Sequence, residues 1–153
     1  MEQAHVCGLS LGAMIALQLA LDHPKRVRSL ALAAGQVKPP RVLMAIQSAV
    51  MRVLPSSAFE KQGAAKDVML PVVQAVGRVD FSARLASISV PTLVLCGSKA
   101  HPNLPAAKQL AQGIRGAQLH IIPGAGHQSH VQAPEEFSRA LGAFLGGAAA
   151  TGK

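Results

Sequence analysis

The sequence predicts an α/β fold: about four parallel strands in one sheet, flanking helices, and a small helical insertion. Three observations carry this. Short apolar runs alternate along the chain with helical stretches, and the strand runs are mostly apolar. Strands buried on both faces belong in a parallel sheet covered by helices. The third observation is connectivity. Each strand-like run is followed by a helix or by the insertion, which is the crossover that parallel strands need.

The first strand is Ala4–Cys7, and Gly8 to Gly12 form a turn. Leu11 to Leu21 is nearly all apolar, which suits a helix buried on most sides. His23-Pro24 stops it, because proline disfavours helical backbone at the preceding residue. Val27 to Gly35 reads as a second strand. Pro39-Pro40 then opens a segment of different character. A helix across Arg41 to Leu54 places Val42, Leu43, Ile46, Ala49, Val50, Val53 and Leu54 on one face. Pro55 ends it. A second helical stretch covers Ala64 to Val79, its limits blurred by Pro71 and Gly77. Residues 36–89 are expected to form a helical insertion within a single domain spanning 1–147.

Val90 to Gly97 is the clearest strand, a continuous apolar run bounded by turn signals. A helix follows from Pro105 to Gly113, and Ala117 to Gly124 forms the fourth strand. The last helix starts at Pro134, with Glu135 and Glu136 in the first turn, where the helix dipole favours acids. Phe137, Leu141, Phe144 and Leu145 mark its buried face. A disordered tail is expected over 148–153.

Composition narrows the functions. With 153 residues, half of them hydrophobic and 14% charged, the chain has a globular composition and room for one core. It lacks Trp and Tyr, so the platforms for stacking bases are missing, and no nucleic-acid partner is expected. The formal net charge is +8, but the basic residues are spread out. The nearest approach to a cluster is Lys25, Arg26 and Arg28, at a helix end. A solvated basic surface is the simpler reading. Asp22 and His23 interrupt the longest uncharged run, so no membrane span is expected. Cys7 and Cys96 lie in apolar strand-like runs and read as buried thiols, not as a disulfide or a metal site. No signal peptide is visible, and a reducing, cytoplasmic setting is expected. No cofactor and no metal are expected.

Gly8-Leu9-Ser10-Leu11-Gly12 fits G-x-S-x-G, with a strand before it and a helix after it. A serine on so sharp a turn needs small neighbours, because backbone segments approach each other closely. The helix start then aims backbone N–H groups at developing negative charge. A glycine-rich turn with an idle serine fits the motif alone equally well. The second feature shifts the balance. His127 lies in a glycine loop directly after the last strand, in "IIPGAGHQSH". A loop histidine there can cross the carboxyl edge of a parallel sheet to a serine at another strand end. Neutral imidazole can take the serine proton and return it. His5, His23, His101, His120 and His130 read as surface residues.

On these residues the chain resembles the α/β-hydrolase fold family and its serine esterases. The resemblance runs from "HVCGLSLG" through "VPTLVLCGSKA" and "IIPGAGH" to "APEEFSRAL". It implies Ser10 as nucleophile, His127 as general base and acid, and the Leu11 N–H as an oxyanion donor. It likens residues 36–89 to the family's cap, and it implies a small-molecule, ester-like substrate. Two departures stand out. The family's acid lies three residues after the glycine matching Gly97, and Ala100 occupies that position. Asp80, Glu135 and Glu136 are not well placed to take its role. Loss of a triad acid alone lowers kcat by about four orders of magnitude, so impaired activity is expected. The resemblance also starts at the family's fifth strand, so the chain reads as a truncated α/β-hydrolase without the loop that supplies a second oxyanion donor. Ala4–Cys7 then becomes a sheet edge, and a homodimer paired through it is expected. The alternatives are a catalytically inactive dimeric binding module on the same fold, or one part of a larger protein.

Overall fold

The computed structural model describes residues 3–57 and 65–150. The chain forms two compact units, Met1–Val37 with Ser82–Lys153, and Lys38–Phe81.

The first unit is built on four strands: β1 (Ala4–Leu9), β2 (Val27–Ala33), β3 (Thr92–Gly97) and β4 (Gln118–Ile122). They lie in the order β1-β2-β3-β4, and every neighbouring pair is parallel. The register brings Leu9 beside Ala33, Ala33 beside Leu95, and Gly97 beside Ile122, so all four strands end along one edge. β3 is buried along its whole length and β2 at every residue but Arg28, as their apolar runs require.

Four helices flank this sheet: α1 (Leu11–Asp22), α4 (Leu104–Gly113), α5 (Ser129–Gln132) and α6 (Pro134–Ala150). α1 buries Ala13, Met14, Ala16, Leu17 and Ala20. Its opposite side is also apolar, and Leu11, Ile15 and Leu19 are left exposed, Ile15 by 61%. α6 packs Phe144, with Phe137 and Leu145, on Leu93, Leu95 and Ile122. The helix continues to Ala150, into the stretch expected to fray, and 151–153 lie outside the described residues. α6 also carries Glu136, which pairs with His120 of β4 at 2.7 Å and with Arg139. The Arg139 hydrogen bond first, and His120 second, hold the Glu136 carboxyl below its ordinary range. His120 is therefore half-buried and engaged. His5 is exposed, as expected of a surface residue, while its Nδ1 meets the buried Ser29 hydroxyl at 2.7 Å.

One expectation fails on β1. Cys7 is exposed, whereas Cys96 is buried. β1 lies at the end of the sheet, so an apolar strand-like run there gains a neighbour on one side only.

The second unit contains α2 (Arg41–Val53) and α3 (Lys66–Val76), with Pro71 inside α3. The expected start of the second helical stretch, Ala64, lies outside the described residues, as does the Leu43 side chain. Met44, Ser48 and Met51 form the inner face of α2, against Val73, Met69 and Leu70 of α3. The apolar face read from periodicity is exposed: Val42 is 74% exposed, Val53 is 86% exposed, and Ile46 and Val50 are exposed as well. Methionine adapts to an irregular helix contact, and Gly77 lets Met44 come close, so the less regular face forms the core.

Gly97 fixes how the loop after β4 lies on the sheet. A Cβ at Gly97 would stand 2.3 Å from the carbonyl oxygens of both Ala125 and Gly126. At Gly12 it would meet nothing within 4 Å. Gly97→Ala is therefore expected to lower stability by about 1–3 kcal/mol, the usual cost of overpacking. Gly12→Ala should cost nothing, since alanine favours helix by up to about 1 kcal/mol. Urea unfolding of the two variants checks this, and equal midpoints would contradict the close approach.

Candidate active site

Ser10 sits between β1 and α1 at φ 55, ψ −114, a backbone region that residues with side chains rarely adopt. The turn is held from both sides. The Ser10 N–H donates to the Ala33 carbonyl at 2.8 Å, and the Ser10 carbonyl accepts from Ala13 and Met14 at 3.1 and 3.2 Å. Gly8 makes the turn possible, because a Cβ there would stand 2.2 Å from the Gly12 carbonyl oxygen. Leu11 is the first residue of α1, and its amide has no acceptor among the described residues. A free N–H at a helix start faces developing anions favourably.

His127 follows β4, three strands away from β1, roughly 14 Å at ordinary strand spacing. The loop that carries it folds back over the end of β3. Lys99 N–H donates to the Ala125 carbonyl at 2.8 Å, Ser98 N–H to the Ile122 carbonyl at 2.9 Å, and Gly124 N–H to Ser98 Oγ at 2.9 Å. The Gln132 side chain accepts from the Gly126 N–H and closes the loop from α5. His127 is exposed, except that its Nδ1 lies 3.1 Å from Asn103 Oδ1.

Asn103 is the residue that sequence reasoning missed. It is 8% exposed, and its Nδ2 donates to the Ala34 carbonyl at 2.9 Å. Ala34 follows β2 in a left-handed conformation, φ 48, with its own N–H donating to the Leu95 carbonyl at 2.9 Å. Asn103 stands at the N-cap of α4, where asparagine usually caps the helix with its side chain. Here it makes no side-chain cap bond. An asparagine before Leu104-Pro105 looks like an ordinary helix start, which hides it. Its signal in the sequence is a side-chain carbonyl acceptor in the loop after β3, where a carboxylate is not the one side chain that can accept from a histidine.

Ala100 is 3% exposed. Its carbonyl accepts from Asn103 and Leu104 N–H, and its own N–H donates to the Gly97 carbonyl at 3.0 Å. The position expected for the acid thus carries a buried methyl inside the turn that presents Asn103. Ser10, Leu11, Asn103 and His127 all stand at the carboxyl edge of the sheet. The Ser10 hydroxyl and the imidazole make no hydrogen bond with each other among the described residues. In enzymes without substrate such bonds are often long and tighten on binding.

The sequence profile of the Alpha/beta hydrolase family matches residues 1–140. The chain belongs to the α/β-hydrolase family. A protein of Variovorax paradoxus named as a carbamate hydrolase, RutD, is 29% identical over 182 residues, covering 98% of this chain and 68% of its own length. The crystal structure of a hydrolase from Pseudomonas aeruginosa superposes with a TM-score of 0.86 at 26% identity, over 95% of this chain and 65% of that one. Est816, described as an N-acyl homoserine lactone degrading enzyme, gives a TM-score of 0.67 at 25% identity, over 94% and 68%. The chain spans about two thirds of the length of these relatives.

The backbone at Ser10 offers a test that needs no substrate. A left-handed conformation costs a residue with a Cβ about 1–2 kcal/mol, and glycine escapes that cost. Ser10→Gly is therefore expected to be more stable than Ser10→Ala by about 1–2 kcal/mol in chemical denaturation, since both lose the hydroxyl but only one loses the strain. Equal stabilities would mean that Ser10 is not held in this conformation.

Proposed function

We propose that this chain carries a serine hydrolase site for small, ester-like acyl compounds. One observation carries the reading. Ser10 is held in a strained strand-to-helix turn, at the same sheet edge as His127, with a free amide next to it. Strain of that kind persists where the surrounding structure enforces it, and it gathers at active sites. In the proposed reaction Ser10 Oγ attacks the acyl carbonyl carbon while His127 Nε2 takes its proton. The Leu11 N–H donates to the oxyanion. Collapse of the tetrahedral species breaks the ester C–O bond, and His127 returns the proton to the leaving alcohol. Water then attacks the acyl-serine, again through His127, to release the acid and restore Ser10.

The site lacks a carboxylate at the family's position, where Ala100 stands, so turnover is expected to be low. The reference loss is about 10⁴-fold for a triad without its acid. The test is release of p-nitrophenol from the acetate and butyrate esters. Slow release above background is expected, lost in both Ser10→Ala and His127→Gln. Release that persists in Ser10→Ala would remove the reading.

A second reading, a binding module on the same fold, is favoured by the uncharged partner of His127 and by the character of the β1 edge. That edge carries no Lys, Asp, Glu or Pro to blunt it, and Leu11, Ile15 and Leu19 lie exposed on the adjoining α1. For either reading we propose a homodimer in which the Ala4–Cys7 strands of two copies pair antiparallel about a two-fold axis, giving one sheet of eight strands. Sedimentation equilibrium at micromolar concentration is expected to show a dimer that Ile15→Lys dissociates. A monomer at every concentration would end this proposal.

A further inference from the structure

We propose that Asn103 is the positioning residue of His127, and that the Ala34 carbonyl makes it so by fixing which way the amide faces. The inference rests on the serine hydrolase reading for its catalytic consequence, but its structural content stands separately.

An asparagine amide has a donor end and an acceptor end, and which end faces a histidine decides the histidine's tautomer. An amide that donates to Nδ1 forces the proton onto Nε2, and the imidazole can no longer accept from a serine there. That is the failure described for a triad whose Asp is replaced by Asn. Here the outcome is reversed. The Asn103 donor end is taken by the Ala34 carbonyl at 2.9 Å. Turning the amide over would set its oxygen against that carbonyl, in a place where Asn103 is 8% exposed and water cannot substitute. The acceptor end therefore faces His127 Nδ1, 3.1 Å away. Nδ1 carries the proton, and Nε2 is left with its lone pair directed away from Asn103, as a general base requires.

The arrangement has two sides, and it needs both. Ala34 requires a donor and His127 requires an acceptor, so among common side chains of this size asparagine alone meets the pair of demands without a change of protonation. This also explains why the side chain abandons the helix cap it would ordinarily make. The neutral amide orients the imidazole, but it supplies no negative charge to steady the imidazolium that forms during acyl transfer.

The tautomer can be read directly by long-range proton–nitrogen NMR of His127, identified by its loss in His127→Gln, at about pH 8.5, above the reference imidazole pKa of ~6.5. The native chain is expected to show Nδ1–H. Two variants separate positioning from simple support. Asn103→Leu removes both ends, and Asn103→Asp removes the donor toward Ala34 but keeps an acceptor toward His127. Positioning predicts that Asn103→Asp keeps Nδ1–H while Asn103→Leu loses it. It also predicts that kcat for the p-nitrophenyl ester falls by roughly tenfold or more in Asn103→Leu, a smaller step than the loss already assigned to the absent acid, because such losses are not additive. Asn103→Asp should fall far less, with KM little changed in both. A merely structural role predicts equal losses in the two variants, because both abandon Ala34. A native chain showing Nε2–H, or an unchanged tautomer in Asn103→Leu, would overturn the proposal. These outcomes are distinct from failure of the hydrolase reading, which would appear as ester turnover unaffected by Ser10→Ala beside a tautomer that behaves as expected.

Discussion

The loop that carries His127 lies over the end of β3, and the absent side chain of Gly97 decides whether that crossing exists. β4 is the last strand of the order, so a histidine loop leaving it straight would end far from β1. The loop folds back because two of its carbonyl groups, Ala125 and Gly126, rest where a Cβ of Gly97 would be. The hydrogen bonds from Ser98 and Lys99 then hold it in that place. Backbone against backbone is the closest contact a protein can make, and it leaves no slack. The position of His127 is therefore set by main-chain geometry at the tip of a wholly buried strand.

From that point outward each link is a directed hydrogen bond. β2 ends at Ala33, whose carbonyl fixes the Ser10 amide, and the next residue offers its carbonyl to Asn103. One peptide segment thus serves both the serine turn and the imidazole. The two non-glycine residues with positive φ, Ser10 and Ala34 among the described residues, are the two that this segment connects. Each costs of order 1–3 kcal/mol, against a total stability of about 5–15 kcal/mol for a domain. Such a cost is tolerable only because the sheet core beneath, with Ala33, Leu93, Leu95 and Ile122 all buried, is apolar and closely packed.

The parts of this structure that were legible in the sequence are those governed by burial alone. β2 and β3 are apolar runs because both sheet faces are covered, and such runs cannot be mistaken for exposed segments. The turn at Ser10 was legible through Gly8, and the histidine loop through its glycines. Three features were not. Cys7 looks buried because its neighbours are apolar, but exposure at a sheet end depends on strand order, which composition does not encode. The inner face of α2 was not legible, because periodicity marks its Val and Ile residues, whereas the contact is made by Met44 and Met51, which fit the surface of α3. Asn103 was hidden because one residue type serves two purposes at a helix start, capping or reaching elsewhere. Only the neighbouring Ala34 carbonyl and His127 show which purpose is served.

The expectation of an acid at position 100 takes on a different meaning once those neighbours are known. A carboxylate introduced at position 100 would enter a turn where the alanine methyl is already buried, with the carbonyl of that residue committed to two N–H groups. It would also find Nδ1 occupied. A carboxylate at position 103 would keep the bond to His127 but would set its second oxygen against the Ala34 carbonyl, which now receives an N–H. Two acceptors in contact within a buried site repel each other, and an anion there carries a desolvation cost of several kcal/mol. The positive φ at Ala34 and the asparagine at 103 are thus mutually dependent. As long as the chain turns at Ala34 and aims its carbonyl at the helix start, a neutral amide is the side chain that fits. The absence of charge beside His127 among the described residues then follows from the backbone at the end of β2.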